Sequence, residues 1–166
     1  MLTLTLAAKL LGAAVLFSSV AGFSVICKRR DAERLRRLTG QMNFVRFVRD
    51  RIDRYLSPIS EILRDCDKGI LSALLIGCEA EDYCDIDGLR AVLRSGKYYS
   101  DGGDLFDSFL ESLGSSYREN EIAGCEDCIK SLSAVYEKLS RELPKERKSR
   151  GVLLFCLAAA IVIILI

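Results

Sequence analysis

The chain predicts an all-α protein, an antiparallel bundle of about six helices flanked by two transmembrane helices. Three observations carry this. Apolar runs at 10–27 and 151–166 frame a charged middle. Within that middle, apolar residues recur at three- and four-residue steps, the period of an amphipathic helix. No segment sustains the two-residue alternation of a strand.

The first apolar run has the length of a span. Its 18 residues reach about 27 Å as a helix, near the thickness of a bilayer's hydrocarbon. A cleaved signal peptide would carry its charge before the apolar core, but only Lys9 stands there. The strong charge follows instead, at Lys28, Arg29 and Arg30, as in a retained anchor with its C-terminal side in the cytoplasm. Val25, Ile26 and Cys27 make a poor lipoprotein cleavage sequence. Ala14, Ser18 and Gly22 form a small-residue row, suited to close approach by a second helix or to plain lipid contact. The closing run, 151–166, reaches only about 24 Å, and Lys148 and Arg150 extend it by snorkelling. Its collar, Lys145, Arg147, Lys148 and Arg150, also faces inward. The expected layout is a short extracytoplasmic N-terminus (1–9), a span (10–27), a cytoplasmic helical bundle (28–150) and a second span (151–166).

Charge is distributed accordingly. Net charge is +1, yet residues 28–37 carry six basic and two acidic side chains, as do 138–150. Between them, 38–137 holds 11 basic against 19 acidic. Positive charge sits where lipid headgroups lie, so the expected partner is membrane lipid and not nucleic acid.

The middle reads helix by helix. Leu35, Leu38, Met42, Val45, Ile52 and Leu56 form a stripe broken once by Arg49, and Phe44, Phe47, Val48 and Tyr55 widen it into a bundle face. Ser57 as N-cap, Pro58 at the first helical position and Glu61 in the first turn start the next helix, with Ile59, Ile62 and Leu63 on its apolar face. A brief helix over 69–75 ends near Gly77. Residues 79–87 hold Glu79, Glu81, Asp82, Asp85 and Asp87 with no basic residue, and read as a solvated loop lacking the ligand spacing of a calcium loop. Leu89, Val92 and Leu93 mark another short helix. Leu105, Phe106, Phe109, Leu110 and Leu113 mark a further one, closed by Gly114. Ile122, Cys125, Ile129, Leu132, Tyr136, Leu139 and Leu143 give the last helix an unbroken stripe before Pro144, where a kink or restart is allowed.

Little in the chain points to catalysis. It has no histidine, the commonest general base and metal ligand, and no phosphate-cradling glycine loop or nucleophile elbow. Of its seven cysteines, five lie between the collars, where a cytoplasmic setting keeps thiols reduced. Cys125 and Cys128 form a C-x-x-C, and Cys78 and Cys84 complete the one conceivable four-thiolate zinc set. The 78–84 spacing is unusual for a knuckle, and Cys125 sits on an apolar stripe where cysteine acts as a small hydrophobe. Carboxylates such as Asp50 and Asp53 lie among Arg46, Arg49, Arg51 and Arg54 at ion-pair spacing. The expectation is a non-enzymatic protein without cofactors. A membrane-anchored zinc or thiol sensor is the rival built on the cysteines.

Several local patterns share one order. Lys9, Leu10, Leu11, Gly12 and Ala13 open the chain, and Gly22 and Phe23 follow. Next come Arg34 and Leu35, then Ile52, Tyr55, Ser57, Pro58 and Ile59, then Leu113, Gly114, Tyr117 and Arg118, and finally the long helix, basic collar and apolar tail. This order resembles the stage III sporulation protein AB family, membrane proteins of endospore-forming bacteria. The likeness covers nearly the whole chain. An Arg-rich run at 46–54 replaces acidic residues usual in the family, residues 117–121 depart from its Asp-Arg-Glu-x-Gln stretch, and its central tryptophan is absent.

The resemblance implies a helical cytoplasmic domain like that of type II secretion and type IV pilus inner-membrane platform proteins. It implies a trans-envelope channel between mother cell and forespore, with a secretion-type ATPase and other stage III sporulation proteins as partners. The location would be the mother-cell membrane around the forespore, and a homo-oligomer is compatible with it. A secretion or pilus platform protein outside sporulation is the alternative. Arg46, Arg49 and Arg54, with Asp82 and Asp85, are the candidate partner contacts, because exposed charge steers association.

Overall fold

The computed structural model describes the backbone of residues 2–55, 59–78 and 85–165, and their side chains except at 2–11, 13, 14, 16, 17, 55, 59, 60 and 162–165. Six helices and no strand occur among the described residues: α1 (Leu2–Tyr55), α2 (Ile59–Arg64), α3 (Lys68–Leu74), α4 (Ile86–Ser95), α5 (Gly103–Ser112) and α6 (Arg118–Leu165). The all-helical class is as the periodicity predicts. Leu56, the last residue of the first predicted stripe, and the expected start signal at Ser57 and Pro58 lie outside the described residues.

The chain divides into two compact units, one of residues 33–140 and one combining 1–32 with 141–166. In the 33–140 unit, the stripe of α1 meets that of α6. Leu38, Val45, Val48, Cys125 and Leu132 are fully buried together with Ile62 of α2, Leu74 of α3, Leu89 of α4 and Phe106 of α5. Phe44 and Phe106 stack edge to face with ring centroids 5.8 Å apart, a favoured aromatic geometry. Contacts run in opposite order along α1 and α6: Ser133 Oγ lies 3.4 Å from Met42 Sδ, Arg49 4.0 Å from Glu126, and Arg118 2.8 Å from Asp53. The two helices are therefore antiparallel here, as predicted.

Local chemistry sets the short helices. Asp67 caps α3 by accepting from Gly69 N at 3.0 Å, and Asp85 caps α4 by accepting from Gly88 N at 2.7 Å. Of the stretch predicted as loop over 79–87, residues 79–84 lie outside the described residues, and Asp87 belongs to the first turn of α4. Gly114, with φ +86°, follows the end of α5 in a conformation that favours glycine. Gly40 permits a close approach of two backbones in the core: a Cβ there would lie 2.8 Å from the Ala73 carbonyl carbon and the Leu74 nitrogen.

The other unit pairs the beginning of α1 with the end of α6. Pro144 does not break α6, which runs through it. Asp31 accepts from Arg147 Nη2 at 2.8 Å, and Leu143 and Ala158 are buried. Many of the other described apolar side chains are exposed, among them Val15, Phe23, Val25 and Ile26 of α1 and Val152, Leu153 and Leu157 of α6. At Gly22 a Cβ would meet nothing within 4 Å, so the α6 segment does not pack on that point of the small-residue row; Ala14 lies outside the described side chains. Among the described residues no helix is long and apolar enough to cross a membrane. Both expected spans, 10–27 and 151–166, include side chains outside that set.

Candidate partner-binding surface

The basic face of α1 arises because helical periodicity turns Arg46, Asp50, Asp53 and Arg54 outward while Val45, Val48 and Ile52 face the core. Its arginines are not equivalent. Arg49 lies 3.2 Å from Asp50 and 4.0 Å from Glu126 of α6. Arg51 lies 3.6 Å from Asp65 and sits over the Phe47 ring, 5.2 Å from its centroid. Arg118 reaches back to the carbonyl and carboxylate of Asp53. These charges tie α1 to its neighbours. Arg46 donates only to Asn43 Oδ1, at 3.0 Å, and Arg54 has no ion-pair partner among the described residues. Of the three arginines singled out from the sequence, Arg46 and Arg54 are the ones open to a partner, whereas Arg49 is partly engaged internally.

Asp82 lies outside the described residues. Asp85 remains exposed but spends one carboxylate oxygen on the cap of α4.

A second charged cluster escapes the sequence reading because its members are far apart in the chain. Arg90 of α4 donates to Asp107 of α5 through Nε at 3.0 Å and Nη2 at 3.3 Å, and to Glu111 at 2.8 Å. Arg94 adds a 2.6 Å bond to the same Asp107. The Arg90 hydrogen bond, and then that of Arg94, hold the Asp107 carboxyl below the ordinary carboxylate range against the opposing effect of burial. This is a clamp between two short helices, each of which supplies two members one turn apart.

The basic collar after the first apolar run is also reassigned in part. Arg34 makes a bidentate pair with Asp101, both bonds 2.6 Å. Glu33 accepts from the Tyr98 hydroxyl at 2.7 Å. Arg37, only 2% exposed, donates through Nη2 to the Leu93 carbonyl at 3.2 Å, while its Nε and Nη1 and the Gln41 Oε1 find no partner. Burial pushes the Arg37 guanidinium below its ordinary value. Arg34 and Arg37, expected near headgroups, instead fasten the α4–α5 connection and the last turn of α4 to α1. The signal was present. Phe44 and Val48 lie off the main stripe, and stepping back from them by helical turns reaches Gln41 and Arg37.

Cys125 and Cys128 are buried one turn apart on α6. Desolvation pushes their thiols up to about 11 and about 12, disfavouring the thiolate a zinc ion binds. Burial also raises Cys78, opposed by the Arg37 charge. Cys84 lies outside the described residues. Among the described residues no group of three or more metal-ligating side chains comes together. The environment is that of core cysteines.

Compared with known proteins, the chain matches no family model, no curated protein and no solved structure.

Proposed function

We propose that this chain is a non-enzymatic integral membrane platform component of a sporulation trans-envelope channel, docking a cytoplasmic secretion-type ATPase. The observation that carries the membrane half of this is the burial pattern at the two helix ends. Ile26 and Leu153 are 60% and 62% exposed, and large apolar residues on both ends share that exposure within one compact unit. Contiguous exposed apolar surface of this kind marks a membrane or partner contact. Two spans, 10–27 and 151–166, then hold the chain at the cell membrane with residues 28–150 on the cytoplasmic side. The sporulation setting rests on the ordered likeness to the stage III family.

The ATPase half is supported by the charged, helical character of residues 33–140, which place Arg46 and Arg54 outward without acidic partners among the described residues. An ATPase with an acidic docking face would be steered there. The test uses the full chain in mild detergent and a secretion-type ATPase from the same organism, measured by titration calorimetry. Saturable binding that weakens at least ~10-fold in R46E/R54E, with an unchanged melting temperature, supports the assignment. Absence of binding from the folded native chain overturns the docking role.

A further inference from the structure

The two basic collars, far apart in sequence, meet. Asp31 Oδ2 accepts from Arg147 Nη2 at 2.8 Å and from Nε at 3.2 Å, within the unit that holds both helix ends. Lys28, Arg29 and Arg30 precede Asp31 by three residues or fewer, and Lys145 and Lys148 flank Arg147. All five therefore lie within about one helical turn of the bridging pair. They are exposed, and none has an ion-pair partner among the described residues. Arg150, by contrast, is paired with Glu146 at 2.9 Å.

On each helix this cluster gives way to exposed apolar side chains, Val25 and Ile26 before it on α1, Val152 and Leu153 after it on α6. Cations alone would fit an acidic protein surface equally well. Cations bordering bare apolar carbon on two adjoining helices fit a boundary where phosphate and hydrocarbon meet. Of the acids beside the cluster, Asp31 is paired with Arg147 and Glu146 with Arg150, so neither stands unopposed before a phosphate.

We propose that the joined collar is a binding site for the phosphate headgroups of anionic phospholipids, formed by Lys28, Arg29 and Arg30 from one helix and Lys145 and Lys148 from the other. This rests on the membrane-held reading above. The Asp31–Arg147 pair is its positioning element: it sets the two groups of cations side by side, so that a headgroup contacts both helices. A lone collar offers a field, whereas the joined collar offers a site with two sides. Each basic side chain near an anionic surface contributes roughly a fivefold gain in binding.

The test reconstitutes the full chain into vesicles of equimolar phosphatidylcholine and phosphatidylglycerol, extracts it gently, and counts retained lipids by native mass spectrometry. Retention of phosphatidylglycerol at least ~5-fold over phosphatidylcholine is expected, falling with added salt and approaching parity in K28Q/R29Q/R30Q/K145Q/K148Q at unchanged helicity. D31A should lower the enrichment by loosening the two sides while leaving every cation in place. Bulk-ratio lipid on the native chain, a lipid-free dimer, or enrichment indifferent to the five substitutions would overturn the site. The first of these would point to an acidic protein as the collar's partner. Flotation with pure phosphatidylcholine vesicles separates the two readings: a chain that floats but shows no lipid preference loses only the headgroup site, and one that does not float loses both.

Discussion

Ile26 and Arg37 stand about three turns apart on one helix, and their exposures are inverted from what their chemistry asks of water. The isoleucine is 60% exposed and the arginine 2%. The arginine is explained from within: it fills a packed bundle and holds the Leu93 carbonyl. The isoleucine is not, because more than half of it stays exposed among the described residues. The contrast separates two kinds of stability in one helix. Between Arg37 and Val48, α1 is held by its own fold, whereas around Ile26 its apolar side chains are exposed. The α6 helix repeats the contrast, with Leu132 fully buried and Leu153 bare.

The sharpest way to break that comparison is to truncate one leucine in each region. Leu38→Ala removes a fully buried side chain from the core and should cost about 2–5 kcal/mol. Leu153→Ala in detergent should stay within about 0.5 kcal/mol. Chemical denaturation of both variants checks this, and equal losses would mean that the exposed end is packed in solution. Gly40→Ala comes next. The atoms facing the new Cβ belong to the backbone of α3 and cannot rotate away, so a loss of about 1–3 kcal/mol is expected from the same measurement.

The α4–α5 clamp sharpens the account through pH. The Asp107 carboxyl is depressed in the folded protein by Arg90 and Arg94, so it binds a proton more readily when unfolded. Its stabilisation is therefore complete above the unfolded value of about 4 and is lost as pH falls through the lower folded value. Asp107→Asn should lower the melting temperature at pH 7 by several degrees for a loss of about 1–2 kcal/mol. The gap from the native chain should close on acidification below about pH 4. A gap that persists at pH 2 would assign the loss to packing.

The effect expected at Arg37 has the opposite sign. Arg37→Met removes a desolvated charge with two unmatched donors, and the Leu93 carbonyl still accepts from Gly96 N at 3.1 Å. Replacement of a poorly satisfied buried charge by an apolar side chain is commonly neutral or stabilising by about 1–2 kcal/mol. A melting temperature lowered by more than ~10 °C would show that Arg37 contributes more than its single bond.

Much of this was legible in the sequence, and the limits have physical causes. The stripes of α1 and α6 are visible because helical periodicity is local, and their antiparallel meeting follows from compact packing. Caps such as Asp85 were hidden in an acidic run whose composition reads as loop. The pairs Arg34–Asp101, Arg90–Asp107 and Asp31–Arg147 join residues distant in the chain, and one sequence does not encode such pairings in its spacing. Hence a basic collar read as uniform divides in the structure. Lys28, Arg29 and Arg30 stay exposed, while Arg34 and Arg37 turn to the bundle. Among the candidate contacts, the same sorting favours Arg46 and Arg54 over Arg49.

The central claim is that the bare apolar ends lie in a bilayer. Alkaline carbonate extraction of membranes from cells producing the full chain tests it most directly, since this treatment strips proteins held by charge alone. The account predicts that the chain remains in the membrane pellet with its exposed helix ends buried in lipid. Release into the supernatant as a folded, helical protein would contradict it.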